Sequence, residues 1–166
     1  MPEQEVIDRA HKDAEQGKSP TTQAGEFVRE EMHHVREGKH GARSPQQAIA
    51  IGLSKARRAG VKPAPPRKGK TSSRTSAQAQ RDMNKGRKPH TAKPSSTRSR
   101  AVTAALKREG HSVASHANLS RHAHSAAQRR SGQSRHQSAI TAVRTKGSKG
   151  LRQAARKAAR TRSKNR

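Results

Sequence analysis

Residues 19–60 read SPTTQAGEFVREEMHHVREGKHGARSPQQAIAIGLSKARRAG, and they describe two helices that start and stop in the same way. Ser19-Pro20 and Ser44-Pro45 each offer an N-cap hydroxyl followed by a proline, whose missing N–H costs nothing in a first helical turn. Gln47 stands three residues after Ser44, the spacing of a capping box. Gly38 and Gly60 supply residues able to turn left-handed at a C-terminus. Between these stops, Ala24, Phe27, Val28, Met32 and Val35 repeat at offsets 0, 3, 4, 8 and 11. Ala48, Ile51, Gly52, Ala56 and Ala59 repeat the same offsets, so each set forms one stripe of a 3.6-residue helix. A hairpin of helices over 20–37 and 45–59 follows. Residues 4–16, with Val6, Ile7, Ala10 and Ala14 on one side and Gly17 as a stop, add a third helix to this head.

Working outward, the supply of core residues runs short. Only 27% of the chain is hydrophobic and Phe27 is its single aromatic, against roughly 45–50% apolar content in ordinary domains. The fold class expected is therefore all-α: a small N-terminal hairpin or three-helix unit, followed by a largely disordered basic tail, helical only under suitable conditions. The boundaries read as a head over 1–60, a Pro/Lys/Arg-rich linker over 61–97, and an Ala/Ser/Arg-rich tail over 98–166. Pro63, Pro65 and Pro66 keep the start of the linker from becoming helical. A short polar helix is expected over 76–85. Transient helices are expected over 98–109, 113–130, 135–146 and 151–162. The thin core leaves room for a protein partner or self-association through the hairpin. Ile49 and Leu53 beside its main stripe serve either the core or such a contact.

Charge points to the partner. Residues 1–60 hold ten Lys/Arg and nine Asp/Glu, whereas residues 61–166 hold 28 Lys/Arg and only Asp82 and Glu109. A near-neutral head thus precedes a polycation, which repels itself until a polyanion neutralises it. Nucleic acid is the expected partner. The candidate phosphate contacts are Lys55, Arg57 and Arg58 late in the hairpin, Arg67, Lys68 and Lys70 in the linker, and Arg87 and Lys88 at its GRKP stretch. In the tail they are Arg129, Arg130, Arg152, Arg156, Lys157, Arg160 and Arg162. Residues 151–162 set their bases around an alanine stripe, whose small side would let the helix approach a backbone closely. Sequence readout is not indicated: no zinc-finger spacing exists, and the N-terminal end of the second hairpin helix is PQQAIAIG rather than a base-reading surface. Scarce aromatics disfavour single strands read by stacking, so duplex DNA ranks ahead of RNA.

Other motifs are weaker. Residues 85–89 (KGRKP) look like a loosened AT-hook with an inserted lysine, or simply a basic linker. Glu30-x-x-His33 and Glu31-x-x-His34 have the carboxylate–histidine spacing of di-metal bundles, with His40 close by, yet matching ligands on other helices are scarce. His33 and His34 are thus expected at the surface, with no metal and no cofactor. Gly17-Lys18-Ser19 lacks the earlier glycine of a phosphate-binding loop, because position 12 is Lys. No nucleophile–base pair is evident, and no enzyme is expected. The chain has no cysteine, no apolar run near the roughly 20 residues of a membrane span, and an acidic N-terminus unlike a secretory signal. A cytoplasmic, nucleoid-bound protein is the expectation.

Residues 26–60, together with LKREG at 106–110 and LSRHA at 119–123, resemble a family of small basic bacterial proteins carrying a domain of unknown function. Its members are often labelled DNA-binding or histone-like. The tail is also similar in composition to linker-histone tails. The resemblance implies a bacterial setting and a DNA-binding or histone-like role; it brings no site residues. The alternative kept beside it is an RNA- or ribosome-associated adaptor whose hairpin docks on a protein.

Overall fold

The structure is a computed structural model that describes residues 2–66, 69, 71–87 and 95–164. Among these residues it is all-helical. The head comprises α1 (Gln4–Glu15), α2 (Pro20–Arg36) and α3 (Pro45–Arg58). The Ser19 hydroxyl accepts from Thr22 N at 3.3 Å, and the Ser44 hydroxyl accepts from Gln47 N at 3.2 Å. Gln47 Oε1 accepts from Arg43 N rather than from Ser44, so the capping box closes one residue early. Gly17, Gly38 and Gly60 take φ of 69°, 75° and 93°. Each then closes its helix with the paired C-terminal bonds of a Schellman motif, as in Gly60 N→Arg57 O and Val61 N→Ala56 O.

Two clusters make the core. Val6, Ala10, Ala24, Phe27, Ala56 and Val61 are buried together, with Ile7, Leu53 and Ala59 against them. Met32, Val35, Ala42, Ala48 and Ala114 form the second, flanked by Val28, Ile49, Val113 and Leu119. Ile49 and Leu53 therefore pack against the chain's own core, though each stays partly exposed. The helices α2 and α3 meet most closely at Gly52. A Cβ there would lie 2.7 Å from Val28 Cα and 3.0 Å from Phe27 O, so only glycine fits the crossing.

The first compact unit runs to Ser120, well beyond residue 60. Two segments outside the hairpin extend it. α4 (Ser73–Arg87), longer than the expected 76–85 helix, packs on α3 through buried Ala79 and Asp82. Residues 106–119 fold back on the hairpin. Gly41 N donates to Leu106 O, Ala42 N to Gly110 O, and Arg36 Nε to Ala114 O at 2.9 Å. His111 Nδ1 donates to Val35 O at 3.2 Å. These carbonyl contacts seat the short 3-10 turn Ser112–Ala114 in the second cluster.

The expected disorder of the tail is not found. α5 (Ser96–Lys107), α6 (His116–Gln128) and α7 (Gly132–Lys164) carry helix to residue 164. Within α7, Gly147 has φ 62° and ψ 176°, which separates two helical runs where the sequence places a break. Disorder was inferred from too little area to bury, and α7 indeed buries no residue. Its helix rests on local terms instead: Ala, Arg, Lys and Gln have high propensity. Thr141, Thr145 and Thr161 Oγ1 donate to the carbonyls of Gln137, Thr141 and Lys157, bonds compatible with the helix that add no stability to it.

Gly52→Ala tests the crossing. Overfilling a packed contact costs about 1–3 kcal/mol, more than the roughly 1 kcal/mol that alanine gains over glycine in a helix. Denaturant unfolding should show Gly52→Ala less stable than the wild type. Gly25→Ala, which meets nothing within 4 Å on exposed α2 surface, should be more stable. Equal stabilisation by both substitutions would contradict the close approach.

Candidate nucleic-acid interface

Charge is handled differently in the two parts of the chain. In the head, seven of the ten Lys/Arg of residues 1–60 pair with the chain's own carboxylates: Arg9, Lys18, Arg29, Lys39, Arg43, Lys55 and Arg58. Three of the sequence-predicted contacts belong here. Lys55 Nζ lies 2.7 Å from Glu31 Oε2 and 3.3 Å from Glu30 Oε2. Arg58 Nε donates to Asp82 Oδ1 at 2.9 Å. Arg57 is buried, its Nε without a hydrogen-bond partner, and with Lys62, Met83 and Arg87 it lines a cleft beside Gly60 and Gly86. Lys55 and Arg58 are thus engaged within the fold rather than presented to a partner.

Asp82 is the residue that holds α4 in place. It is 1% exposed and accepts from Ser54 Oγ at 2.6 Å, Arg58 Nε at 2.9 Å and Gln78 Nε2 at 3.1 Å. Burial acts to raise its pKa, but the Ser54, Arg58 and Gln78 hydrogen bonds and the Arg58 charge outweigh it and hold the carboxyl below its ordinary value. In the sequence this aspartate stands out only as a rare acid in a basic stretch. At the far end of α4, a Cβ on Gly86 would lie 2.1 Å from Arg57 O, so glycine lets that helix touch α3. Residues 85–87 are consequently the last turn of a docked helix, a conformation unlike the extended AT-hook. Arg87 is exposed at that end; Arg67, Lys68, Lys70 and Lys88 lie outside the described residues.

Residues 110–166 contain no Asp or Glu while holding 14 Lys/Arg, so no such pairing arises between side chains of this run. Arg129, Arg130, Arg152, Arg156, Lys157, Arg160 and Arg162 are all exposed. Arg130 Nε donates to Ser134 Oγ at 3.3 Å, and its NH2 reaches the Ser138 hydroxyl, which ties the end of α6 to the start of α7. At 100° per residue, Lys149, Arg152, Arg156, Arg160 and Lys164 fall on one side of α7. Leu151, Ala154, Ala155 and Ala158 fall on the opposite side. Arg162 also falls there and Ala159 falls beside Arg152, so bases border the small-residue stripe as well as facing away from it. What the arrangement offers is a row of bases, one per helical turn of about 5.4 Å, with no internal acid to compete.

Among the histidines, His33 is exposed as expected, but His34 is not a surface residue. Its side chain is 12% exposed, with Nε2 3.0 Å from Glu3 Oε1. His40 Nε2 lies 3.0 Å from Glu31 Oε1. No family model, curated protein or solved structure matches the chain. No described helix is long and apolar enough to cross a membrane.

Because the folded pKa of Asp82 is depressed, its stabilising contribution is complete above the unfolded value of about 3.9 and fades as pH falls through the lower folded value. Amide exchange in α4, corrected for intrinsic rates, should accelerate in that acid window. Asp82→Asn should expose α4 amides already at neutral pH. Full α4 protection in Asp82→Asn at pH 7 would count against the docking role.

Proposed function

We propose that this protein is an architectural nucleic-acid-binding protein of the bacterial nucleoid, coating duplex DNA through its phosphates without reading sequence. The observation that carries the reading is the acid-free run after Glu109, whose exposed bases have no partner carboxylate among residues 110–166. Each base that meets a phosphate releases condensed counterions, so binding is strong at low salt and falls steeply as salt rises. The helices α6 and α7 hold those bases in register, and neutralisation by phosphate stabilises helices that bury no residue. The head contributes little net charge and acts as a compact unit to which the cationic helices are joined. Its single aromatic, Phe27, is buried in the core and unable to stack on a base. No enzymatic step belongs to this reading. The alternative is an RNA- or ribosome-associated adaptor whose hairpin docks on a protein; Ile49, one residue of the flank that motivates it, packs in part on the chain's own second cluster.

The test is a salt titration of full-length protein on a short duplex. The plot of log Kobs against log salt should be steep and linear, and the combined Arg152→Gln, Arg156→Gln, Arg160→Gln protein should lose roughly one unit of slope per neutralised contact. Arg58→Gln should leave the slope unchanged. A wild-type affinity indifferent to salt, or an unchanged slope in the triple variant, overturns the proposal. A clear preference for structured RNA in competition would replace duplex DNA as the ligand.

A further inference from the structure

Two histidines and a glutamate of the head converge. Glu31, His34 and His40 each place a ligand atom within 4.8 Å of the others. The His34 and His40 rings stand edge to face, 6.1 Å apart at 80°. Glu31 is fully buried, and neither of its oxygens accepts a hydrogen bond, although Oε1 lies 3.0 Å from His40 Nε2 and Oε2 lies 2.7 Å from Lys55 Nζ. Two buried carboxylates, Glu30 and Glu31, share the single ammonium of Lys55, and a buried carboxylate is costly unless cations compensate it.

The orientation of His40 sharpens the point. Its Nδ1 donates to Gly41 O at 3.1 Å, which in a neutral ring leaves the Nε2 lone pair facing the lone pairs of Glu31 Oε1. Such opposed lone pairs are what a cation bridges. A histidine whose far nitrogen donates to a backbone carbonyl is also the usual posture of a metal ligand. Zinc bonds to imidazole nitrogen and carboxylate oxygen are roughly 2.0–2.2 Å. At a tetrahedral angle those lengths set the two donor atoms about 3.3 Å apart, close to the 3.0 Å between His40 Nε2 and Glu31 Oε1. Lys55 on Oε2 would then orient the ligating carboxylate from behind.

We propose that Glu31, His34 and His40 form a binding site for a borderline-soft divalent cation of the zinc class. The ligands are His40 Nε2, Glu31 Oε1 and one nitrogen of His34. Two imidazoles and a carboxylate suit zinc over magnesium or calcium, which take oxygen ligands. Three protein ligands leave a fourth position for water. The site ties the loop after α2 to the crossing of α2 and α3, and it is independent of the nucleic-acid reading.

Full-length protein stripped with a chelator, then titrated with cobalt(II) as a spectroscopic probe and zinc(II) in competition with a chromophoric chelator, tests this. One equivalent of cobalt should give ligand-field bands, and zinc should displace it. His40→Gln and His34→Gln should each weaken zinc at least tenfold, while exposed His33→Gln and the double His122→Gln, His124→Gln protein should bind as the wild type does. Should His40→Gln fail to fold by far-UV circular dichroism, His34→Gln decides, because the only side-chain hydrogen bond described for His34 is to the half-exposed Glu3. Zinc should also raise the melting temperature of the wild type and leave that of His34→Gln nearly unmoved. Absence of ligand-field bands in the wild type, or binding lost only in the tail-histidine variant, overturns the site.

Discussion

The ion pair between Glu31 on α2 and Lys55 on α3 is the contact around which the head is built. Both residues sit seven positions along their helices' apolar stripes, between the fourth and eighth, and so both point into the seam. Glu31 is fully buried, and Lys55 also reaches Glu30. Taking Lys55 away would leave the buried Glu31 carboxylate without its lysine, at a cost of about 3–5 kcal/mol. The pair can form only because Gly52 lets the two backbones touch three residues earlier. Glu30 carries the constraint on to α1, since its Oε1 accepts from Glu3 N at 2.7 Å and so satisfies a donor at the start of that helix.

Much of this was legible in the sequence. The serine–proline starts, the glycine stops and the matched stripes locate α2 and α3 to within a residue or two, because caps and periodicity are local. The interior charges were not legible by the same rule, since a stripe of apolar residues skips Glu31 and Lys55. Reading them needs the two gaps to be superposed, one acid and one base at the same offset. The docking of α4 escaped for a different reason. It depends on Asp82 meeting Ser54 and Arg58 across 24 to 28 residues of chain, with Gly86 permitting contact, and no period links those positions. Likewise Ala114 carries too little area to announce a core residue, yet it is fully buried against α2 because Arg36 and His111 fix the turn around it.

The tail illustrates the limit of arguing from composition. Low apolar content correctly anticipates that α7 buries nothing, but it does not forbid a helix whose residues favour one. Of the candidate site, the basic residues after 128 are where the sequence placed them, exposed and free of carboxylates, since charge and exposure go together on long cationic side chains. Lys55 and Arg58 carry the same charge and yet are absorbed by Glu30, Glu31 and Asp82. Counting bases along a chain therefore overstates the interface wherever acids lie near enough in the fold to neutralise them.

We propose a division of labour: cations of the head hold the fold, and cations of the last helices meet phosphate. Arginine Nε–Hε resonances of the full-length protein, followed by NMR as a short duplex is added, read it directly. The signals of Arg129, Arg130, Arg152, Arg156, Arg160 and Arg162 should shift and return as salt is raised, while those of Arg9 and Arg58 stay in place. Shifts confined to Arg9 and Arg58, with the tail arginines unmoved, would contradict it.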